Sequence, residues 1–69
     1  MKISARNVIK GKVKSVNHGV VNSEIVLEIA PGVEIASSIT KKSAEALDLA
    51  AGTTAYAVIK ASAVMIGVD

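Results

Sequence analysis

Cysteine is absent from this 69-residue chain, which excludes disulfide staples and thiolate metal sites. Histidine occurs once, at His18, too few for a His-based metal cluster within one chain. Tryptophan and phenylalanine are missing and Tyr56 is the sole aromatic residue. No GxGxxG or P-loop motif occurs, and no stretch approaches the roughly 18 apolar residues that span a bilayer. The opening Met1–Arg6 lacks the apolar run of a secretory signal, so the cytoplasm is the expected compartment. The six acidic residues are scattered, with no pair placed for acid–base work, and His18 has no evident triad partner. A non-enzyme is expected.

What is present is a surplus of small and branched apolar residues. Hydrophobic residues make up 51% of the chain, with Val 10, Ile 8 and Ala 11 against Leu 3. That balance points to strands. A domain of this length buries only roughly 60% of its unfolded surface, so half-apolar composition exceeds what one interior can hide. Self-association is the expected outlet. The net charge of +2 is too slight to draw nucleic acid by itself.

Periodicity divides the chain further. Asn7–Val16 alternates, with Ile9, Val13 and Ser15 on one face and Val8, Lys10, Lys12 and Lys14 on the other. Asn17-His18-Gly19 carries turn chemistry. Glu24–Ile29 alternates again, Pro31-Gly32 marks a tight turn, and Val33–Thr40 forms a third alternating run. Lys41–Leu47 has helix formers behind a Thr40 N-cap, with Ala44 and Leu47 on one face. Thr53–Lys60 is a fourth strand, and the continuous apolar run Ala63–Val68 suggests a fifth, buried on both faces. Three strands, a helix and two strands predict a mainly β fold. The expected architecture is one domain over 1–69, a five-stranded OB-like Greek-key barrel with its short helix between strands three and four.

Two segments are rich in donors and free of acids: Ser4-Ala5-Arg6-Asn7 and Val58-Ile59-Lys60-Ala61-Ser62. Donors without acceptors suit a fully deprotonated tetrahedral oxyanion, and the charges of Arg6 and Lys60 balance a dianion. A protonated oxyanion such as phosphate would leave a polar group unpaired, at a cost of roughly 1–3 kcal/mol. The plainer alternatives are a solvated Arg6 near the N-terminus, a Lys60 snorkelling from a strand end, and serines that only cap turns. The Lys10, Lys12, Lys14 row reads as a solvated strand face.

Taken together, these motifs resemble the molbindins, the small Mop-domain proteins that bind molybdate and tungstate. Ser4-Ala5-Arg6-Asn7 with Gly11 resembles the opening signature S-A-R-N-x-x-x-G. Ser38-Ile39-Thr40 with Ser43 resembles the I-T-x-x-S segment before the family's helix, and Val58–Ser62 its strand-end lysine motif. The likeness runs the full length of the chain. The domain also occurs in molybdate-responsive transcription regulators and molybdate-transporter ATPases, but this chain has neither the helix-turn-helix nor the P-loop part. It therefore resembles the stand-alone protein.

The resemblance implies an OB-like barrel assembled as a hexamer, a trimer of dimers, with oxyanions held between subunits. The first class of site would use Ser4, Arg6, Lys60 and Ala61, with Thr40 from the neighbouring chain and Ser62 and Ser38 close by. A second class, near a threefold axis, would use the backbone at Gly19 and Val20, with His18 beside it. Molybdate or tungstate would be the bound ligand, with no protein atom on the metal and no membrane or nucleic-acid partner. The implied role is storage and homeostasis of the ion. The competing reading is an OB-fold nucleic-acid-binding module using the lysine row. Its weakness is the missing aromatic platform, since Tyr56 stands alone.

Overall fold

The computed structural model describes residues 1–69. Four antiparallel strands form one curled sheet: β1 (Asn7–His18), β2 (Asn22–Ala30), β3 (Val33–Thr40) and β4 (Thr54–Ile59). A helix, α1 (Lys41–Ala46), follows β3, and a 3₁₀ turn over Ala61–Ala63 follows β4. The strand order is β3-β2-β1-β4, so β1 and β2 are central while β3 and β4 each keep a free edge. No helix is long and apolar enough to cross a membrane.

The core lies where the alternating faces of β1 and β2 meet α1. Val13, Ile25, Leu27 and Ala44 are its buried apolar residues, and Ser23 is the one buried polar residue. Only five of 69 residues are buried, far fewer than the apolar composition could supply.

Gly11 is fixed by close approach. A Cβ there would sit 2.7 Å from the carbonyl oxygen of Glu28 on β2, a backbone atom that cannot swing aside. Gly11→Ala is therefore expected to destabilise by about 1–3 kcal/mol through overpacking, more than the ~0.4–1 kcal/mol gained by restricting the unfolded chain. Thermal denaturation followed by circular dichroism checks this, at roughly 4–8 °C per kcal/mol for a domain of this size. An unchanged midpoint would show that the strands can part without cost.

Three expectations need correction. The fifth strand does not form: residues after the 3₁₀ turn carry no regular structure, and Met65, Ile66 and Val68 are 93%, 87% and 94% exposed. A continuous apolar run needs a slot with both faces covered, and a single chain offers none. Second, a bulge between Val13 and Ser15 adds a residue to β1, so Val16 rather than Ser15 turns toward the core. Third, α1 ends at Ala46, so Leu47 becomes its C-cap and is 65% exposed. Asp48 then takes a left-handed conformation (φ 53°), and Leu49 packs on the core instead.

The open side of the sheet is a groove of about 710 Å³ running between β3 and β4. Thirteen of its 16 lining residues are hydrophobic, among them Ile25, Leu27, Ile35, Ile39, Ala57 and Ile59. One chain thus has an uncovered apolar groove and an uncovered apolar tail.

Candidate functional site

The last rung of the β1–β4 ladder pairs Asn7 with Ile59. The two donor-rich segments leave the sheet side by side at that rung, Ser4–Arg6 before β1 and Lys60–Ser62 after β4. Together they line a cleft of about 630 Å³, formed by Ile3, Ser4, Ala5 and Arg6 with Val58, Lys60, Ala61 and Ser62. Segments 52 residues apart in sequence are thus joined by strand pairing alone.

Hydrogen-bond accounting explains the cleft's chemistry. The 3₁₀ turn consumes acceptors: the Lys60 carbonyl takes the Ala63 N–H at 2.9 Å and the Ala61 carbonyl takes the Val64 N–H at 3.3 Å. The N–H groups of Arg6, Lys60, Ala61 and Ser62 donate to nothing within the chain. Nor do the side chains of Ser4, Arg6, Lys60 and Ser62 have internal partners. The chain's single ion pair joins Lys14 to Glu34 across the outer face, and the hydrogen bond that Lys14 donates to the Glu34 carboxylate raises the Lys14 pKa. Arg6 and Lys60 therefore share a cleft without a carboxylate. Two like charges with spare donors are poised for an anion, whose oxygens would satisfy their N–H groups.

Thr40 and Ser38 lie elsewhere. Thr40 ends β3 opposite Asn22, beside the His18 end of β1, whereas Arg6 adjoins the Asn7 end. Twelve residues of β1 separate them, roughly 36 Å if straight and less once curled. The structure therefore brings Ser4, Arg6, Lys60, Ala61 and Ser62 together but places Ser38 and Thr40 outside their cleft. The Thr40 hydroxyl is also engaged: it accepts from the Ser43 N–H at 3.0 Å and donates to the Ser43 hydroxyl at 2.8 Å. The free proton of this pair is thus on Ser43, a residue given no role from the sequence although the I-T-x-x-S spacing included it.

The β1–β2 turn is tighter than the sequence suggested. His18 is the last residue of β1 rather than a turn residue, and its Nδ1 lies 2.6 Å from the buried Ser23 hydroxyl. The Gly19 N–H donates to the Asn22 carbonyl at 2.7 Å, so it is spent inside the turn. Val20 is almost fully exposed, with its N–H unused. The Lys41 N–H binds the Val21 carbonyl at 2.7 Å and ties this turn to α1. No His, Cys, Asp or Glu group of the chain is arranged to hold a metal ion.

Residues 3–66 match the TOBE domain. A probable molybdenum-pterin-binding protein of Haemophilus influenzae is 45% identical over 69 residues, covering all of both chains. MopII from Clostridium pasteurianum superposes with a TM-score of 0.91 at 48% identity, covering 97% of this chain and 100% of its own. The cytoplasmic molybdate-binding protein ModG, with molybdate bound, superposes at 0.94 and 45% identity, covering 100% of this chain and 49% of its own. With a family match over nearly its whole length and full-length relatives, the chain belongs to the TOBE-domain family, among its small Mop-type, or molbindin, members.

Proposed function

We propose that this protein binds molybdate, or its tungstate analogue, and serves as a cytoplasmic store and buffer of the ion rather than as an enzyme. The observation that carries this reading is the cleft in which Arg6 and Lys60 stand unpaired among donors, with the Lys60 and Ala61 carbonyls taken up within the 3₁₀ turn. Ser4, Arg6, Lys60, Ala61 and Ser62 would surround the ion from one chain. Thr40, with Ser38 near it, would close the cage from a neighbouring chain, because no single chain can bring both ends of β1 to one ion. Val20, with Gly19 and His18 beside it, would serve a second site at the β1–β2 turn. No protein atom reaches the metal, since its oxygens cover it. The relatives' names also mention molybdenum-pterin, but a pterin ring would want an aromatic stacking partner. Tyr56, the chain's only aromatic residue, lies outside the cleft.

The shared cage implies an assembly, a hexamer built as a trimer of dimers. The groove between β3 and β4 and the exposed Val64–Val68 tail support association. A tail from a second copy laid in that groove would supply the fifth strand and close the OB-like barrel. Binding would then stabilise the assembly, by roughly 2.7 kcal/mol per site at 100 times the Kd.

Calorimetric titration with molybdate, tungstate, sulfate and phosphate at matched ionic strength tests the reading. Molybdate and tungstate are expected to bind well above sulfate, which has equal charge but smaller size, and phosphate to bind weakest because of its proton. Sulfate binding as tightly as molybdate would overturn it. Single-stranded DNA binding that weakens steeply with salt would favour the nucleic-acid module instead.

A further inference from the structure

Asn7 is the one residue of the Ser4–Asn7 motif that does not line the cleft, and the site described above gives it no task. We infer that Asn7 is a positioning residue for oxyanion selection, holding the two donor segments at the separation that fits the larger ion. This rests on the oxyanion reading. Five observations support it.

Asn7 and Ile59 form the terminal rung of the β1–β4 ladder, each one peptide from a cation of the cleft. The Asn7 Nδ2 donates across that rung to the Ile59 carbonyl at 3.3 Å, in a partly buried setting. It is the only side-chain hydrogen bond between β1 and β4. Beyond the rung, no backbone hydrogen bond joins the Ser4–Arg6 segment to the Lys60–Ser62 segment. Finally, β4 is an edge strand, so its end has no second neighbour to hold it.

The separation of Arg6 from Lys60 is therefore set through one rung, and the carboxamide is the strut across it. Molybdate and sulfate carry the same charge and differ in size, so discrimination between them depends on that separation. Long-range attraction by the two cations survives a loosened rung; a fitted cage does not. Loss of the strut should cost size selection before it costs attraction.

The test is calorimetric titration of the native protein and Asn7→Leu, which keeps the branched shape but lacks the donor, with molybdate and with sulfate. Asn7→Leu is expected to lose about tenfold in molybdate affinity and less than about twofold for sulfate, as loosened fixation of a preorganised site implies. The molybdate-to-sulfate ratio therefore falls. A purely structural role would lower the melting temperature of the ligand-free protein and leave that ratio alone. An unchanged ratio, including equal losses for both ions, overturns the inference. Should Asn7→Leu fail to fold, Asn7→Gln, which shifts the carboxamide by one methylene, is expected to lower the ratio in the same direction, and a native ratio there also overturns it. Failure of the native protein to bind molybdate would instead overturn the oxyanion reading itself.

Discussion

Arg6→Ala is expected to weaken molybdate binding by about 10–100-fold, and Lys60→Ala similarly, with the ligand-free fold intact. A hydrogen bond to a charged group is worth about 1.5–3 kcal/mol, and each 1.4 kcal/mol is a factor of ten. Both side chains are exposed and neither makes an internal hydrogen bond or ion pair, so removing either takes nothing from the core. Arg6→Lys is expected to recover only part of the loss, since an ammonium lacks the planar fork that grips two oxygens. The double variant should lose less than the product of the single effects, because both residues hold one ion. Calorimetry gives the affinities and a melt without ligand gives the stability. Full affinity in both single variants would place the ion elsewhere.

The second large effect is expected at the tail. Val64, Met65, Ile66 and Val68 are apolar and exposed in one chain. Burying each contributes roughly 1.5–3 kcal/mol, so a tail in a partner's groove gains on the order of 6–12 kcal/mol before its ordering cost. A carboxylate placed there would have to be buried unpaired or keep the tail in water. Ile66→Asp is therefore expected to shift the protein from a large assembly toward its 7.0 kDa chain mass in sedimentation velocity. Molybdate affinity should fall with it, since the shared cage is lost. If Ile66→Asp sediments as the native assembly does, the tail is no interface. If the native protein itself sediments as a single chain, sites shared between subunits do not exist.

Much of the fold can be read from alternation. The inward faces of β2 and the first half of β1 emerge directly, because Ile25, Leu27 and Val13 obey a period of two. The second half of β1 does not, because a bulge changes phase without leaving a mark in composition. Leu47 has a helix-like spacing from Ala44, yet α1 stops one residue short of using it. The apolar tail reads as a buried strand, yet one chain offers it no covered slot and leaves it exposed. The cleft residues could be named from donor chemistry and motif spacing together, whereas their meeting place is a matter of pairing Asn7 with Ile59. The separation of Thr40 from Arg6 also needed the strand order, since both flank sheet strands and nothing local tells which end each occupies.

That separation has a geometric consequence. In the proposed shared cage, each chain would display two unlike halves, one at each end of β1. Two chains laid head against foot about a dyad match both halves reciprocally, giving two complete cages per pair and leaving no half unmet. A screw-like, unidirectional stacking would always leave an unmatched half at each end of the row. Complementary halves on opposite ends of one strand would thus favour closed particles, and a damaged chain in a dyad pair would spoil both cages rather than one.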